Sequence, residues 1–174
     1  KLNAGLSIPY MFGSAFGTSF YFKIDKKDTS FVKTDLKGTL DFSFKNNDKI
    51  FAYAAQNNSF IISDQLIDTS LYNNSKSLIF GLGYSTESLN YRFNPSKGII
   101  FTGDIANGRR NSNNVQTNFF AVNAAFDLYI PIYKNLVFKI ASFNNYLLSD
   151  FDFYENELLY AGGFNSLRGF DEDI

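Results

Sequence analysis

The sequence predicts an all-β fold, an antiparallel transmembrane β-barrel, from three observations. Apolar and polar residues alternate over several stretches, a pattern that places successive side chains on opposite faces of a strand. The 174 residues include 21 Phe and 11 Tyr but no Trp, and membrane barrels use aromatic side chains in lipid-facing bands and girdles. No stretch approaches the roughly 18 consecutive apolar residues of a spanning helix, so a membrane-spanning form of this chain must cross with strands.

Eight strands are predicted, in chain order, at Leu2–Ile8, Phe16–Asp25, Leu36–Phe44, Lys49–Asn58, Ser77–Glu87, Lys97–Ala106, Phe119–Ile130 and Leu136–Tyr146. The alternation is clearest in the second, third, fifth and seventh of these. In the third strand the even positions are apolar or Gly, whereas the odd positions carry charged or hydroxyl side chains. The other four strands have weaker patterns, and no amphipathic helix is predicted between any two strands.

The connections are predicted to alternate between two rims. Short connections at 9–14, 46–48, 92–96 and 131–135 would share one rim, as in a barrel with short turns at one end and longer loops at the other. The opposite rim would carry the segments 25–28, 59–75, 107–117 and the residues after Leu148. Eight strands are too few to enclose a wide lumen, and inward glycines such as Gly81 and Gly83 suit a larger barrel. We therefore expect the chain to be a fragment of a bigger barrel.

A soluble β-sandwich or a lipocalin-like barrel is the alternative fold, because its strands also alternate. In those proteins the apolar face lines a packed core, whereas in a membrane barrel it faces lipid. The alternation of apolar and polar residues along a strand does not distinguish a soluble β-fold from a membrane barrel. Long strands, repeated Lys and Asp on the polar face and the abundance of Phe and Tyr favour the membrane barrel.

Composition excludes several classes of function. The formal net charge is −1, with Lys and Arg spread along the chain, so there is no basic patch for nucleic acid. Without Cys or His, the chain has no thiol chemistry, zinc site or His-dependent acid–base catalysis. No Ser nucleophile elbow or phosphate-binding loop is present. We expect a protein that is not an enzyme and has no cofactor.

Two charged groups in predicted loops are the remaining candidates for chemistry. Asp150, Asp152, Glu155 and Glu157 form an acidic cluster that could bind a divalent cation. Arg109 and Arg110 could contact lipopolysaccharide phosphate, as any outer-facing basic pair could. Solvated side chains are the preferred interpretation of both groups, so no metal site is predicted.

The end of the chain carries the most specific motif. Residues 157–170 read ELLYAGGFNSLRGF, which resembles the signature of the BamA/TamA superfamily (the bacterial surface antigen family), a GG-x-x-x-(L/V)-RGF pattern. The motif residues are Gly162, Gly163, Leu167, Arg168, Gly169 and Phe170. The resemblance implies that they lie in an extracellular loop, here about 149–174, that folds back into the barrel lumen.

Elementary chemistry suits that placement of the loop. An unpaired guanidinium is unstable in a dry environment, so Arg168 would seek carboxylates on the inner wall. Phe170 would pack against the wall, and Gly169 would permit a tight bend between them. In the family the acidic partners belong to strands that follow this loop. The segment FNSLRGFDEDI is similar to the corresponding sequence in Bacteroidota members of the family.

A second motif is similar to the family's periplasmic turn of Pro, two residues and Gly. It consists of Asn94, Pro95 and Gly98 in the segment FNPSKGI. Two strands then lie between the strand that this turn opens and the RGF loop. By the resemblance, residues 1–174 are part of one barrel domain and correspond to about the fourth to eleventh strands of about sixteen. The remaining strands and the periplasmic POTRA domains are expected outside this chain.

The resemblance implies a non-enzymatic protein of the bacterial outer membrane that inserts or translocates other proteins. Its expected partners are outer-membrane lipids and lipopolysaccharide, unfolded outer-membrane protein clients, and periplasmic or lipoprotein accessory subunits. Three alternatives remain: a two-partner secretion translocator, the barrel domain of a patatin-like lipase fusion, and a passive porin. The number of POTRA domains, an upstream GxSxG motif and the single-channel conductance would discriminate among them.

Overall fold

The computed structural model describes residues 1–27, 31–44, 47–62, 73–112, 115–134 and 136–150. These residues form eight strands: β1 (Leu2–Ile8), β2 (Phe16–Lys27), β3 (Phe31–Phe44), β4 (Asp48–Ile61), β5 (Ser75–Leu89), β6 (Gly98–Ser112), β7 (Val115–Tyr133) and β8 (Leu136–Ser149). A 3₁₀ turn, Met11–Gly13, lies between β1 and β2. Among the described residues no helix is long and apolar enough to cross a membrane.

The eight strands form one sheet in sequence order, each antiparallel to the next. This meander confirms the predicted all-β architecture, and β1 has the predicted bounds. The other seven strands are all longer than predicted. β5 and β6 contain 15 residues each, more than the roughly 10 that a tilted strand needs to cross a bilayer.

The predicted loop at 107–117 was wrong. β6 continues to Ser112 and β7 begins at Val115, with paired residues up to the contact between Ser112 and Val115. The predicted polar run at 59–75 also shortens, because β4 extends to Ile61 and β5 begins at Ser75. Hydrophobic alternation reports which part of a strand meets an apolar environment. Backbone pairing does not require apolar side chains, so the ladder continues past the end of the pattern.

The cross-strand register aligns the apolar positions of all eight strands on one face of the sheet. We call it the outer face; it carries the even-numbered residues of every strand except β6, where it carries the odd-numbered ones. Phe120 on this face is 38% exposed, whereas the adjacent Phe119 on the other face is only 7% exposed. The lower exposure of the second, inner face indicates that the sheet curves toward it.

The direction of this curvature decides between the two predicted barrel types. In a soluble barrel the concave side is apolar, because it encloses the core. Here the convex outer face is mainly apolar, whereas the concave inner face carries charged, hydroxyl and amide side chains together with small and aromatic residues such as Ala106 and Phe119. An apolar exterior around a polar interior is the pattern of a transmembrane barrel.

Candidate functional site

A chain of polar side chains crosses the inner face at mid-height. The phenol of Tyr53 on β4 donates a hydrogen bond of 2.8 Å to Oδ2 of Asp104 on β6. The same carboxylate oxygen accepts a 2.8 Å hydrogen bond from Nδ2 of Asn123 on β7, and Asn145 on β8 donates to Oδ1 of Asn123. At the other end, Nζ of Lys37 on β3 lies 3.8 Å from the centre of the Tyr53 ring. These five residues, which we call the polar belt, link β3 to β8.

Glycines on β5 allow the belt to cross a strand that contributes no side chain to it. Tyr53 lies opposite Gly81, and Asp104 lies opposite Gly83. A Cβ atom built on Gly81 would lie 2.3 Å from Cζ of Tyr53, and one on Gly83 would lie 2.3 Å from Cζ of Phe51. The two aromatic rings therefore lie flat across β5, which brings the Tyr53 hydroxyl within reach of β6.

Replacing Gly81 with Ala is expected to destabilise the barrel by about 2 kcal/mol, because the new methyl group displaces the Tyr53 ring and strains its hydrogen bond to Asp104. Guanidinium titration of the full-length protein in lipid vesicles measures the effect. The matched control is Gly38→Ala on β3, where the nearest atom, Cδ2 of Phe20, lies 3.9 Å from the added Cβ. Equal losses at both positions would contradict the packing of Tyr53 on Gly81.

Elsewhere on the inner face the ion pairs are open to solvent. Lys139 on β8 lies 2.9 Å from Asp127 on β7. On β2, Lys23 lies 3.5 Å from Asp25. Such partly exposed pairs contribute little to stability. Both signs of charge occur along this wall, which makes it hydrophilic without a strong net field.

Within the described residues, no group of three or more Asp, Glu, His or Cys side chains could hold a metal ion. Of the predicted acidic cluster, only Asp150 lies in the described part of the chain, where it is exposed. Asp152, Glu155 and Glu157 lie outside it.

The connection between β5 and β6 contains the predicted turn motif and is organised by Asn90. Oδ1 of Asn90 accepts hydrogen bonds of 3.0 Å from the backbone N–H groups of both Ser96 and Lys97, and its Nδ2 donates to Oγ of Ser96 at 2.7 Å. The Asn90 backbone N–H also donates to the Lys97 carbonyl at 3.1 Å. One amide side chain thus closes the loop between residues 90 and 97.

The motif residues themselves have different environments in this connection. Asn94 is exposed and Pro95 is half-buried, whereas Gly98 is the first residue of β6 and has a φ of +131°. Beside the turn, Arg92 forms a two-pronged pair with Glu87 of β5 at 2.9 and 3.2 Å. The periplasmic location of this turn stays a prediction.

The residues of the GG and LRGF motif, Gly162, Gly163, Leu167, Arg168, Gly169 and Phe170, lie outside the described residues. The inward-folding loop predicted at about 149–174 therefore stays a prediction beyond Asp150.

The structure separates the two neighbouring arginines that the sequence placed in a loop. Both lie in β6, so their side chains point to opposite faces. Arg109 is exposed on the outer face, whereas Arg110 is only 4% exposed on the inner face. They do not form a basic pair.

Sequence reasoning did not find the polar belt. Its members lie on five strands and become neighbours only through the register of the sheet, which a single sequence does not reveal. The inward glycines Gly81 and Gly83 were the available signal, because glycine within a strand often marks the close approach of another group.

Comparison with known proteins agrees with the motifs. A family model described as the Omp85 superfamily domain matches residues 2–173, and this confirms the predicted resemblance to the BamA/TamA superfamily. No curated protein and no solved structure gives a significant match. Members of the matched superfamily are in general outer-membrane proteins that insert or translocate other proteins, and they are generally not enzymes.

Proposed function

Since this chain belongs to the Omp85 superfamily, we propose that it forms part of an insertase, which assembles other β-barrel proteins into the bacterial outer membrane without covalent chemistry. The observation that carries the proposal is the family match across a continuous antiparallel sheet whose convex face is apolar. Such a sheet is the wall of a membrane barrel, and insertion needs a wall that is stable in lipid beside a site where strands can join.

The proposed mechanism uses a weak seam between the first and last strands of the complete barrel. An edge strand in lipid has unpaired backbone groups, which are costly there. A client strand can satisfy those groups by β-augmentation while the bilayer beside the seam is thinned. Unfolded outer-membrane proteins are the proposed clients, with periplasmic or lipoprotein accessory subunits delivering them.

In this mechanism the strands described here are the fixed side of the barrel. The polar belt joins β3 to β8 through Tyr53, Asp104 and Asn123. Hydrogen bonds across several strands resist shear between them, so opening is directed to the seam. Arg168 and its loop brace the lumen from within in this proposal, and they gate it.

The ability of the full-length protein to accelerate the folding of client proteins tests the proposed function. We expect the protein, reconstituted in liposomes with its accessory subunits, to accelerate the folding of several unrelated β-barrel clients, scored by heat-modifiable gel migration. Arg168→Ala should slow client insertion, and the exposed Arg92→Ala serves as its control. Unaltered barrel assembly, gel migration and client insertion in Arg168→Ala would refute the role of Arg168.

The same vesicles distinguish the other functions. Export of one dedicated substrate into a protease-protected space, without folding of unrelated clients, would identify a two-partner secretion translocator. A steady single-channel conductance in the absence of any client activity would identify a passive porin. Hydrolysis of phospholipid would identify a fused lipase.

A further inference from the structure

Cations on the outer face of β5, β6 and β7 occur at only one end of these strands. All outer-face positions of residues 75–89, 98–112 and 115–133 are described, and among them only Lys76 and Arg109 are charged. No carboxylate occupies an outer-face position of these three strands. Both cations lie toward the rim of the connections 62–74 and 113–114, the rim predicted to be extracellular.

The two cations are close enough to act on one ligand. Arg109 lies opposite Leu78, and Lys76 lies opposite Asn111, so Lys76 and Arg109 are diagonal neighbours on adjacent strands. Diagonal neighbours in an antiparallel pair lie roughly 7–8 Å apart, within reach of long side chains. Both side chains are exposed, and neither forms an ion pair or side-chain hydrogen bond with any part of the chain that the structure describes.

Amide side chains surround the cations on the same face. Asn58 lies opposite Lys76 from β4, and Asn118 lies opposite Arg109 from β7. With Asn107 and Asn111 of β6, they complete the outer-face polar patch, which we define as Asn58, Lys76, Asn107, Arg109, Asn111 and Asn118. Amides both donate and accept hydrogen bonds, so they match the hydroxyl groups of a sugar.

An apolar surface begins directly beside the patch. Leu78, the cross-strand partner of Arg109, is exposed, and Phe80 and Leu82 continue this surface along β5. A cation at this boundary is unfavourable next to hydrocarbon unless an anion compensates it. The order of features along β5, a cation followed by apolar side chains, matches an amphiphile with an anionic head and acyl tails.

We infer that Lys76 and Arg109 bind the phosphate of an outer-leaflet glycolipid, whose sugar contacts the surrounding amides and whose acyl chains lie on the apolar surface of β5 and β6. Arg109 offers a planar fork to phosphate oxygens, and Lys76 adds a point charge. Asp150 lines a shallow depression with Asn107 and Asn118, and its negative charge directs the phosphate to the β5–β6 side. This inference rests on the outer-membrane placement in the proposed function.

Thermal unfolding of the full-length protein in detergent with added lipids tests the site. Lipopolysaccharide should raise the unfolding midpoint, and the double variant Lys76→Gln/Arg109→Gln should weaken the lipid's apparent affinity by about tenfold. Lys97→Gln at the opposite rim is the matched control and should bind as the wild type does. Asp150→Asn should bind at least as tightly as the wild type.

Three further arms identify the ligand. Enzymatically dephosphorylated lipopolysaccharide should lose most of the effect, and equal binding would overturn the phosphate contact. Equal protection by inorganic phosphate would overturn the lipid source, and equal protection by phosphatidylglycerol would overturn the glycolipid. Full lipid affinity in the double variant would overturn the site.

Two measurements separate folding and client insertion from lipid binding. The charge-conserving variant Lys76→Arg/Arg109→Lys should keep most of the lipid affinity, and its loss of affinity while remaining folded would contradict the electrostatic contact. Lipid affinity is measured independently of client folding. Lipid binding by a protein that does not fold clients would therefore refute only the proposed insertase function. Normal client folding without lipid protection would refute only the site.

Discussion

Gly98→Ala is expected to destabilise the barrel by about 3 kcal/mol, because two penalties act at this position. The backbone of Gly98 has a φ of +131°, a region that residues with a Cβ rarely occupy. A Cβ atom would also lie 2.0 Å from the carbonyl oxygen of Ser88 and 2.9 Å from Cα of Leu89. These are backbone atoms paired to β6, so relief of the clash requires β5 and β6 to separate.

Variants at two other glycines separate the two contributions to the expected loss of stability. Gly13 has a φ of +74° with nothing within 4 Å of the added Cβ, so Gly13→Ala should cost about 1 kcal/mol from backbone strain alone. Gly38→Ala meets neither penalty and should be close to neutral. Guanidinium titration of the full-length protein in lipid vesicles ranks the three variants. If Gly98→Ala is no worse than Gly13→Ala, the close approach of Ser88 does not constrain the β5–β6 turn.

Asp104→Ala is expected to destabilise the barrel by about 2 kcal/mol, since Tyr53 and Asn123 both lose their 2.8 Å acceptor and hydrogen bonds to charged groups are the stronger ones. The comparison is Asp127→Ala, which removes the 2.9 Å ion pair with Lys139. Those side chains are 32% and 47% exposed, so this loss should stay below about 1 kcal/mol. The same titration measures both variants.

A double-mutant cycle isolates the hydrogen bond at the centre of the belt. Tyr53→Phe removes the hydroxyl while the ring still covers Gly81, and its effect should largely disappear in the Asp104→Ala background. Asp104→Asn keeps an acceptor oxygen and should recover part of the stability. Additive losses for Tyr53→Phe and Asp104→Ala would mean that the belt does not couple β4 to β6.

Much of the architecture followed from local chemistry. Alternation in segments such as 36–44 and 77–87 predicted strands that the structure contains, and the GG and LRGF motifs predicted the superfamily that the family model confirms. Strand ends were less predictable. β6 and β7 run through the polar segment 107–117, because pairing between strands depends on backbone groups that the hydrophobic pattern does not report.

The sequence by itself determined that the strands have one apolar and one polar face, because odd and even positions of a strand point to opposite faces. Three features were decided only by the tertiary structure. The curvature of the sheet placed the apolar face outside, the register brought Tyr53, Asp104 and Asn123 together, and the extension of β6 sent Arg109 and Arg110 to opposite faces. Each depends on contacts between residues that lie far apart in the sequence. A local sequence pattern does not specify which distant residues come into contact.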